Sequence, residues 1–262
     1  MEVLFIDNNS ANKNEFSELT SLFSNVKIIF NEENIGLATA QNLGVRYAFD
    51  MQVPGIVIFD QDSFIEHRFL ETMVNDFNTL VADGNNVACI GPSIIDKQSG
   101  HRYPISRYRG FFLKRYVLQP DEIAECSYII SSGSLTSIVA LKDVGFFLDK
   151  LFINYIDVEW CFRAISKKYK VYTTNNVSLI QDVGLYRKSI LGREIPVHNP
   201  IRRYYASRNS VIMLFLDHVS WGYKLREIVF NPIRVVFDCM IEGNTWLRLN
   251  YFFKGLYDGF KA

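Results

Sequence analysis

The chain has 262 residues, enough to bury one sizeable core, and its 28 basic residues are balanced by 28 acidic ones, so no overall field draws it to nucleic acid or to an anionic surface. Its four cysteines, Cys89, Cys126, Cys161 and Cys239, stand far apart with no CxxC pair, which speaks against a zinc site or a disulfide framework and for a reducing cytoplasm. No stretch reads as a signal peptide, and no apolar run reaches the ~18 residues of a membrane span.

The first hundred residues alternate strand-like and helix-like segments. EVLFIDN (2–8) is a short apolar run that ends in turn-formers, and NKNEFSELTSLFS (12–24) repeats Phe16, Leu19 and Phe23 at helical spacing. VKIIFN (26–31) predicts a second strand. Residues 37–50 predict a helix with Ala40, Leu43, Tyr47 and Ala48 on one face, and GIVIFDQDS (55–63) a third strand. Strands apolar at nearly every position are buried on both faces, as in a parallel sheet covered by helices, so the order points to a doubly wound α/β domain.

A helix follows around 67–83 and a strand at VACIGP (87–92), after which 96–122 mixes basic and aromatic residues without periodicity and reads as a long loop. CSYIISSGSLTSIVAL (126–141) predicts one or two strands around a Ser-Gly turn. From Val158 the positions Cys161, Phe162, Ile165 and Tyr169 predict a helix, with Asp157 at its start. From residue 199 helices dominate, with Pro200 and Pro232 at or near their starts. The domains are therefore read as 1–198, catalytic, and 199–262, a helical extension.

In an open α/β sheet, ligands bind at the carboxyl ends of the strands. Two of these ends carry acid: Asp7, and Asp60 with Asp62. Two neighbouring carboxylates suit Mg2+ or Mn2+, which then grips a phosphate; capping of a turn explains the same residues equally well. Asn34 and Gly36 stand just before the helix over 37–50, where Asn favours a cap and Gly permits close approach to a ligand. Asp157 at a helix N-terminus is favoured in its ionised form and can act as a general base, against the plainer reading of a capping Asp beside a Glu159–Arg163 pair. The histidines form no HxxxH pair, and SSGSL lacks the second glycine of a nucleophile elbow, so a serine or cysteine hydrolase is disfavoured.

Taken in order, FIDNNS (5–10), NEENIGLATAQNLGVRYA (31–48), IVIFDQDS (56–63), FFLDKLFINYIDVEWCFRA (146–164) and RRYYASRN (202–209) resemble the family 2 glycosyltransferases of GT-A fold, in their rhamnosyltransferase-like branch. The resemblance implies a mixed GT-A sheet with a C-terminal helical extension. It implies Asp7, Asn34, Gly36, Asn42 and Asp60 for the nucleotide-sugar donor, Asp60 and Asp62 for the metal, and Asp157 as the base of an inverting transfer. Relatives often have a histidine ligand where Gln181 stands, with Asp182 beside it as a substitute. Glu159 and Trp160 would shape the acceptor side, and Arg202, Tyr205 and Arg208 would meet diphosphate or acceptor.

The implied donor is dTDP-rhamnose, with UDP-sugars as a second choice. The implied acceptor is a polyprenyl-linked glycan of capsule, O-antigen or cell wall at the cytoplasmic face of the plasma membrane. Relatives begin with a further strand and helix, whereas this sequence opens on the second strand, which predicts an uncovered sheet edge. Two rival functions are a haloacid-dehalogenase-type phosphatase, for its Asp-x-Asp after a strand, and an inactive truncated transferase acting as an interaction partner. Aromatic and basic residues from 211 onward (Trp221, Tyr223, Lys224, Arg226 and Phe230, then Trp246, Arg248, Tyr251, Phe252 and Lys254) suit helices at a membrane interface, or else a lid or homodimer surface.

Overall fold

In the computed structural model, described for all residues except 1, 12–19, 21, 182–185, 191–192, 198 and 243, the strands β1 (Val3–Asp7) and β2 (Val26–Phe30) pair in parallel, Val3 opposite Val26 and Asp7 opposite Phe30. Most of the helix expected between them, with Phe16 and Leu19, lies outside the described residues. Helix α1 (Leu37–Asp50) follows as predicted and buries Ala38, Val45 and Ala48.

The main sheet is six-stranded. Its path runs β3 (Gly55–Ile58), β9 (Ser134–Ser137), β5 (Val87–Asp96), β10 (Lys170–Gln181), β4 (Phe64–Ile65), with β8 (Ile123–Cys126) also on β10. The sheet is mixed, as the family resemblance implies and not parallel as the apolar runs alone suggest: β5 and β10 run parallel, while the β3–β9, β5–β9, β10–β4 and β10–β8 pairs are antiparallel. A strand apolar throughout reports burial on two faces, which a mixed sheet under helices also provides. Among the described residues β1 has one ladder neighbour, β2, and β3 has one, β9, so the β1–β2 pair is not hydrogen-bonded into the main sheet.

One core lies between this sheet and α1, α3 (Ile138–Val144) and α4 (Ile156–Ser166), with Val45, Leu141, Trp160 and Val171 buried. On the other side α2 (Phe69–Ala82) packs Phe69 and Met73 against Ile90 and Leu179. Each such side chain, withdrawn from water, stabilises the fold by roughly 1.5–3 kcal/mol.

The stretch 96–122 is not a plain loop. It contains a hairpin of β6 (Ile105–Arg109) and β7 (Phe112–Tyr116), joined by Gly110 and Phe111 with Arg109 opposite Phe112. Its strands alternate arginine, lysine and tyrosine, and only Ile105 and Ser106 are buried, so no apolar period marks them. A second hairpin, β11 (Tyr186–Ile190) with β12 (Arg193–Val197), follows β10.

Helix α5 (Pro200–Phe215) starts with Pro200 in its first turn, and Asn199 caps it by accepting from the Ile201 amide at 3.2 Å. Pro232 falls inside α6 (Trp221–Glu242) rather than near a helix start. Packing on both sides of it, at buried Asn231 and Val235, offsets the roughly 3 kcal/mol that an internal proline costs. Helix α7 (Thr245–Lys261) lies on α5 at glycine distance: a Cβ at Gly255 would stand 2.4 Å from the Tyr204 carbonyl oxygen, and one at Gly259 2.6 Å from that of Arg208.

Candidate active site

Strand β3 stops at Ile58, and the chain turns over Asp60–Ser63, closed by the Ser63 amide on the Asp60 carbonyl at 3.2 Å. The Asp60 amide donates to Ser132 Oγ at 3.2 Å, and Ser132 Oγ lies 2.7 Å from Ser63 Oγ. The Asp60 carboxylate does not cap its own turn: it accepts from Gln181 Nε2 at the end of β10, 3.0 Å away. Burial and then the charge of neighbouring Asp62 push the Asp60 carboxyl up, against the Gln181 bond and the positive field of Arg202.

A divalent cation would relieve that repulsion, so the residues fit Mg2+ or Mn2+. Asp60 and exposed Asp62 would hold it, leaving its other positions to water and phosphate oxygens, since the described residues contain no cluster of three metal-ligating acid, His or Cys side chains. Gln181 turns its amide nitrogen to Asp60, orienting that carboxylate; Asp182 lies outside the described residues.

Asp157 sits in the first turn of α4, partly buried. Its Oδ1 accepts from the Val158 amide at 2.8 Å and its Oδ2 from the Ser131 amide at 3.2 Å. Burial lifts its carboxyl to about 6; the backbone bonds oppose the rise, and the charge of Asp60 adds least to it.

The loop before Asp157 is held in left-handed backbone at three residues that are not glycine: Phe152 (φ 59°), Asn154 (φ 67°) and Tyr155 (φ 64°). Each such residue costs on the order of 1–3 kcal/mol and persists only where its surroundings enforce it. Asn209 of α5, fully buried, reaches the carbonyls of Leu151, Ile153 and Asn154 with its amide nitrogen at 2.7, 2.8 and 3.2 Å. Phe152 stacks on Tyr205, ring centres 4.7 Å apart and 8° from parallel, and its carbonyl accepts from the Leu37 amide at 2.6 Å. Tyr155 donates its hydroxyl to Glu227 of α6 at 2.7 Å. Burial pushes Glu227 up, but its bond and charge pairing with Arg234 outweigh this and hold it low.

At the end of β1, buried Asp7 accepts from the Ser10 amide, and the next residue, Asn8, joins the segment before α1: it donates to Asn34 at 2.9 Å and accepts from the Ile35 amide at 3.0 Å. Gly36 has φ +86°, and a Cβ there would stand 2.5 Å from the Phe152 ring. The 34–37 segment is thus bound both to the end of β1 and to the loop that leads to Asp157.

Several expected site residues serve the framework instead. Asn42 is buried and bonds to both the amide and the carbonyl of Phe147, at 3.0 and 2.8 Å, tying α1 to the chain before the 152–157 loop, so it does not line an open donor pocket. Glu159 is fully buried between Arg163 and His218, and Trp160 is buried with its Nε1 on the Gly145 carbonyl at 2.9 Å, so neither presents an acceptor surface. Arg208 donates to the Lys150 carbonyl at 2.6 Å and Tyr205 is covered by Phe152, whereas exposed Arg202 stands within electrostatic reach of Asp60. Sequence reading missed Ser131, Ser132 and Asn209, although the Ser-Gly turn that carries the two serines was visible in SSGS.

Residues 1–141 match the family model described as glycosyl transferase family 2. Among curated proteins, the dTDP-rhamnosyl transferase RfbF of Shigella flexneri is 33% identical over 221 residues, spanning 84% of this chain and 73% of that one. Among solved structures, GalNAc-T7 with UDP, GalNAc and Mn2+ superposes with a TM-score of 0.56 at 16% identity over 87% of this chain. The chain spans only 48% of that protein's length. TarS of S. aureus, residues 1–349, gives a TM-score of 0.52 at 14% identity over 97% of this chain and 71% of its own. These likenesses show a shared GT-A fold.

Proposed function

The chain belongs to glycosyl transferase family 2, and from that premise we propose that this glycosyltransferase moves L-rhamnose from dTDP-rhamnose to a hydroxyl of a lipid-carried glycan, inverting the anomeric centre. The observation that carries the reading is that adjacent Ser131 and Ser132 of one loop hold Asp157 and Asp60, in a chain one-third identical over most of its length to a dTDP-rhamnosyl transferase. A phosphatase reading loses its support with the family assignment.

In this mechanism Asp157 takes the proton of the acceptor hydroxyl. The freed oxygen forms a bond to the anomeric carbon while the bond from that carbon to the diphosphate oxygen breaks, and dTDP leaves with the bonding pair. The reading is supported by a carboxyl lifted to about 6, which makes Asp157 a stronger base than an ordinary aspartate yet ionised at neutral pH. The Ser131 amide fixes one of its oxygens, leaving the carboxylate oriented. Asp60 and Asp62 would hold a divalent cation, which would supply charge neutralisation for the departing diphosphate. Arg202 adds positive charge on the same side, and Asp7, Asn34 and Gly36 form the wall assigned to the nucleoside.

The acceptor is assigned to a polyprenyl-linked glycan of a surface polysaccharide, met at the cytoplasmic face of a membrane. The test is release of dTDP from dTDP-rhamnose in the presence of Mn2+ or Mg2+ and a lipid-linked acceptor, with UDP-sugars as the competing donors. Turnover with dTDP-rhamnose alone supports the reading; turnover only with UDP-sugars overturns the donor assignment.

A further inference from the structure

Helix α6 is turned inside out. Three of its charged side chains meet partners inward: Glu227 meets Arg234 and Tyr155, and Asp238 pairs with Arg203 of α5. Its outward face carries Ile228, Val229, Val236, Phe237 and Met240, between 54% and 77% exposed. On α7, Trp246, Phe253, Tyr257 and Phe260 recur at helical spacing as a second exposed stripe. The tip of the β6–β7 hairpin, exposed Phe111 and Phe112, is tied to the start of α6: the Gly110 carbonyl accepts from the Gly222 amide at 3.2 Å and from Ser220 Oγ at 3.0 Å. Apolar surface of this extent marks an interaction site.

We infer that α6, α7 and this hairpin tip form a docking surface for an anionic phospholipid bilayer. No described helix is long and apolar enough to cross a membrane, so the surface lies on the bilayer. Charge favours lipid over a second copy of the chain. Within residues 200–262 the ion pairs of Arg203 with Asp238 and of Arg234 with Glu227 cancel inward, Asp258 is held by the Tyr204 hydroxyl at 2.8 Å, and Lys224 and Arg248 are buried, which leaves Arg226, Lys254 and Lys261 for this surface. The hairpin over 105–116 adds four Lys or Arg and no acid, although the whole chain is balanced. Two basic groups stand beside exposed aromatics, Arg226 over Phe230 and Lys261 over Tyr257. Aromatic rings flanked by cations suit the headgroup layer, whereas a two-fold dimer would press two equally basic faces together.

The residues differ from those expected from composition: Tyr223, Lys224, Arg248 and Phe252 are buried and take no part. The use of the surface rests on the proposed lipid-carried acceptor. The inner face of α6 grips Tyr155, two residues before Asp157, so docking would set the catalytic loop beside the membrane.

The test is co-sedimentation of the full chain with phosphatidylglycerol–phosphatidylcholine vesicles, without nucleotide sugar, against phosphatidylcholine alone. The expected result is binding to the anionic vesicles that weakens with salt and falls at least about tenfold in the double variants Phe237→Glu/Met240→Glu and Phe253→Glu/Phe260→Glu. A cooperative thermal unfolding transition within a few degrees of wild type shows that a variant is folded. A wild-type chain that stays in the supernatant overturns the inference, as does vesicle binding that the variants leave unchanged. Sedimentation equilibrium showing a dimer lost in the same variants, without vesicle binding, assigns the face to a second copy and also overturns it. Because no donor is present, vesicle binding can stand while the transferase reading fails, and the reverse.

Discussion

Gln181 Nε2 stands 3.0 Å from Asp60 Oδ2, so the end of β10 reaches the turn after β3 across 121 residues of sequence. That bond orients the carboxylate assigned to the metal and opposes the rise that burial and Asp62 cause. Removing a group that orients a metal ligand typically costs about 10–100-fold in metal affinity or activity. Gln181→Ala is therefore expected to raise the Mn2+ concentration for half-maximal turnover by about tenfold or more, read from a metal titration. An unchanged requirement would detach Gln181 from the metal site.

The pH dependence follows from Asp157. The base works only when ionised, so kcat/KM is expected to rise about tenfold per pH unit on the acid side and to level above about pH 6. A profile flat from pH 4 to pH 7 would show that Asp157 is not the group that titrates.

Stability has the opposite sign. The folded chain holds the Asp157 proton more tightly than the unfolded chain does, so this group favours folding at low pH and loses that contribution as pH rises from about 4 to about 6. Asp157→Asn is expected to melt higher than wild type at pH 7, and the difference is expected to shrink toward pH 4, as measured by thermal unfolding at both pH values.

Asn209 enforces the left-handed backbone at Asn154 and Tyr155. Asn209→Ala leaves buried carbonyls without their donor and is expected to destabilise the chain by about 2–4 kcal/mol, since each such orphan costs roughly 1–3 kcal/mol. Because the loop carries Asp157, kcat is expected to fall more than donor affinity. Gly36→Ala attacks the same loop from its other side, through a methyl group 2.5 Å from the Phe152 ring and a φ of +86°. Equal loss of donor affinity and kcat in both variants would show that the loop serves the donor pocket alone.

Arg202 is the exposed cation in reach of Asp60. Arg202→Ala is expected to raise KM for the nucleotide sugar several-fold, at ~1 kcal/mol or more for a charge-assisted phosphate contact, with partial rescue in Arg202→Lys. Steady-state kinetics at two ionic strengths separates a phosphate contact from a packing effect, because only the former weakens with salt.

The acids of the candidate site were legible because they end apolar strands or begin a helix: Asp7 after VLFI, Asp60 after IVIF, Asp157 at the start of α4. The strands themselves were legible because nearly every position is apolar, but that signal reports burial and not direction, which is why the mixed sheet looked parallel. Asn42 and Glu159 misled because a polar residue in a motif looks the same whether it meets a ligand or, as here, closes a buried contact. The roles of Ser132 and Asn209 were illegible for a different reason: their partners lie 72 and 58 residues away, and nothing local marks a side chain that will serve a distant backbone, while Ser131 acts through its backbone amide on Asp157, which any residue there could supply. The hairpin over 105–116 hid because its strands are only partly covered and carry charge where a half-buried strand would alternate.

The central claim is that Asp157 is the base of a metal-assisted rhamnosyl transfer. Its most direct measurement is single-turnover release of dTDP from dTDP-rhamnose by the wild-type chain and by Asp157→Asn, with Mn2+ and a lipid-linked acceptor. The account predicts release by the wild type, its loss with a chelator, and a fall of about 10²–10⁴-fold in Asp157→Asn while dTDP affinity is retained. An Asp157→Asn chain that transfers at the wild-type rate would contradict it.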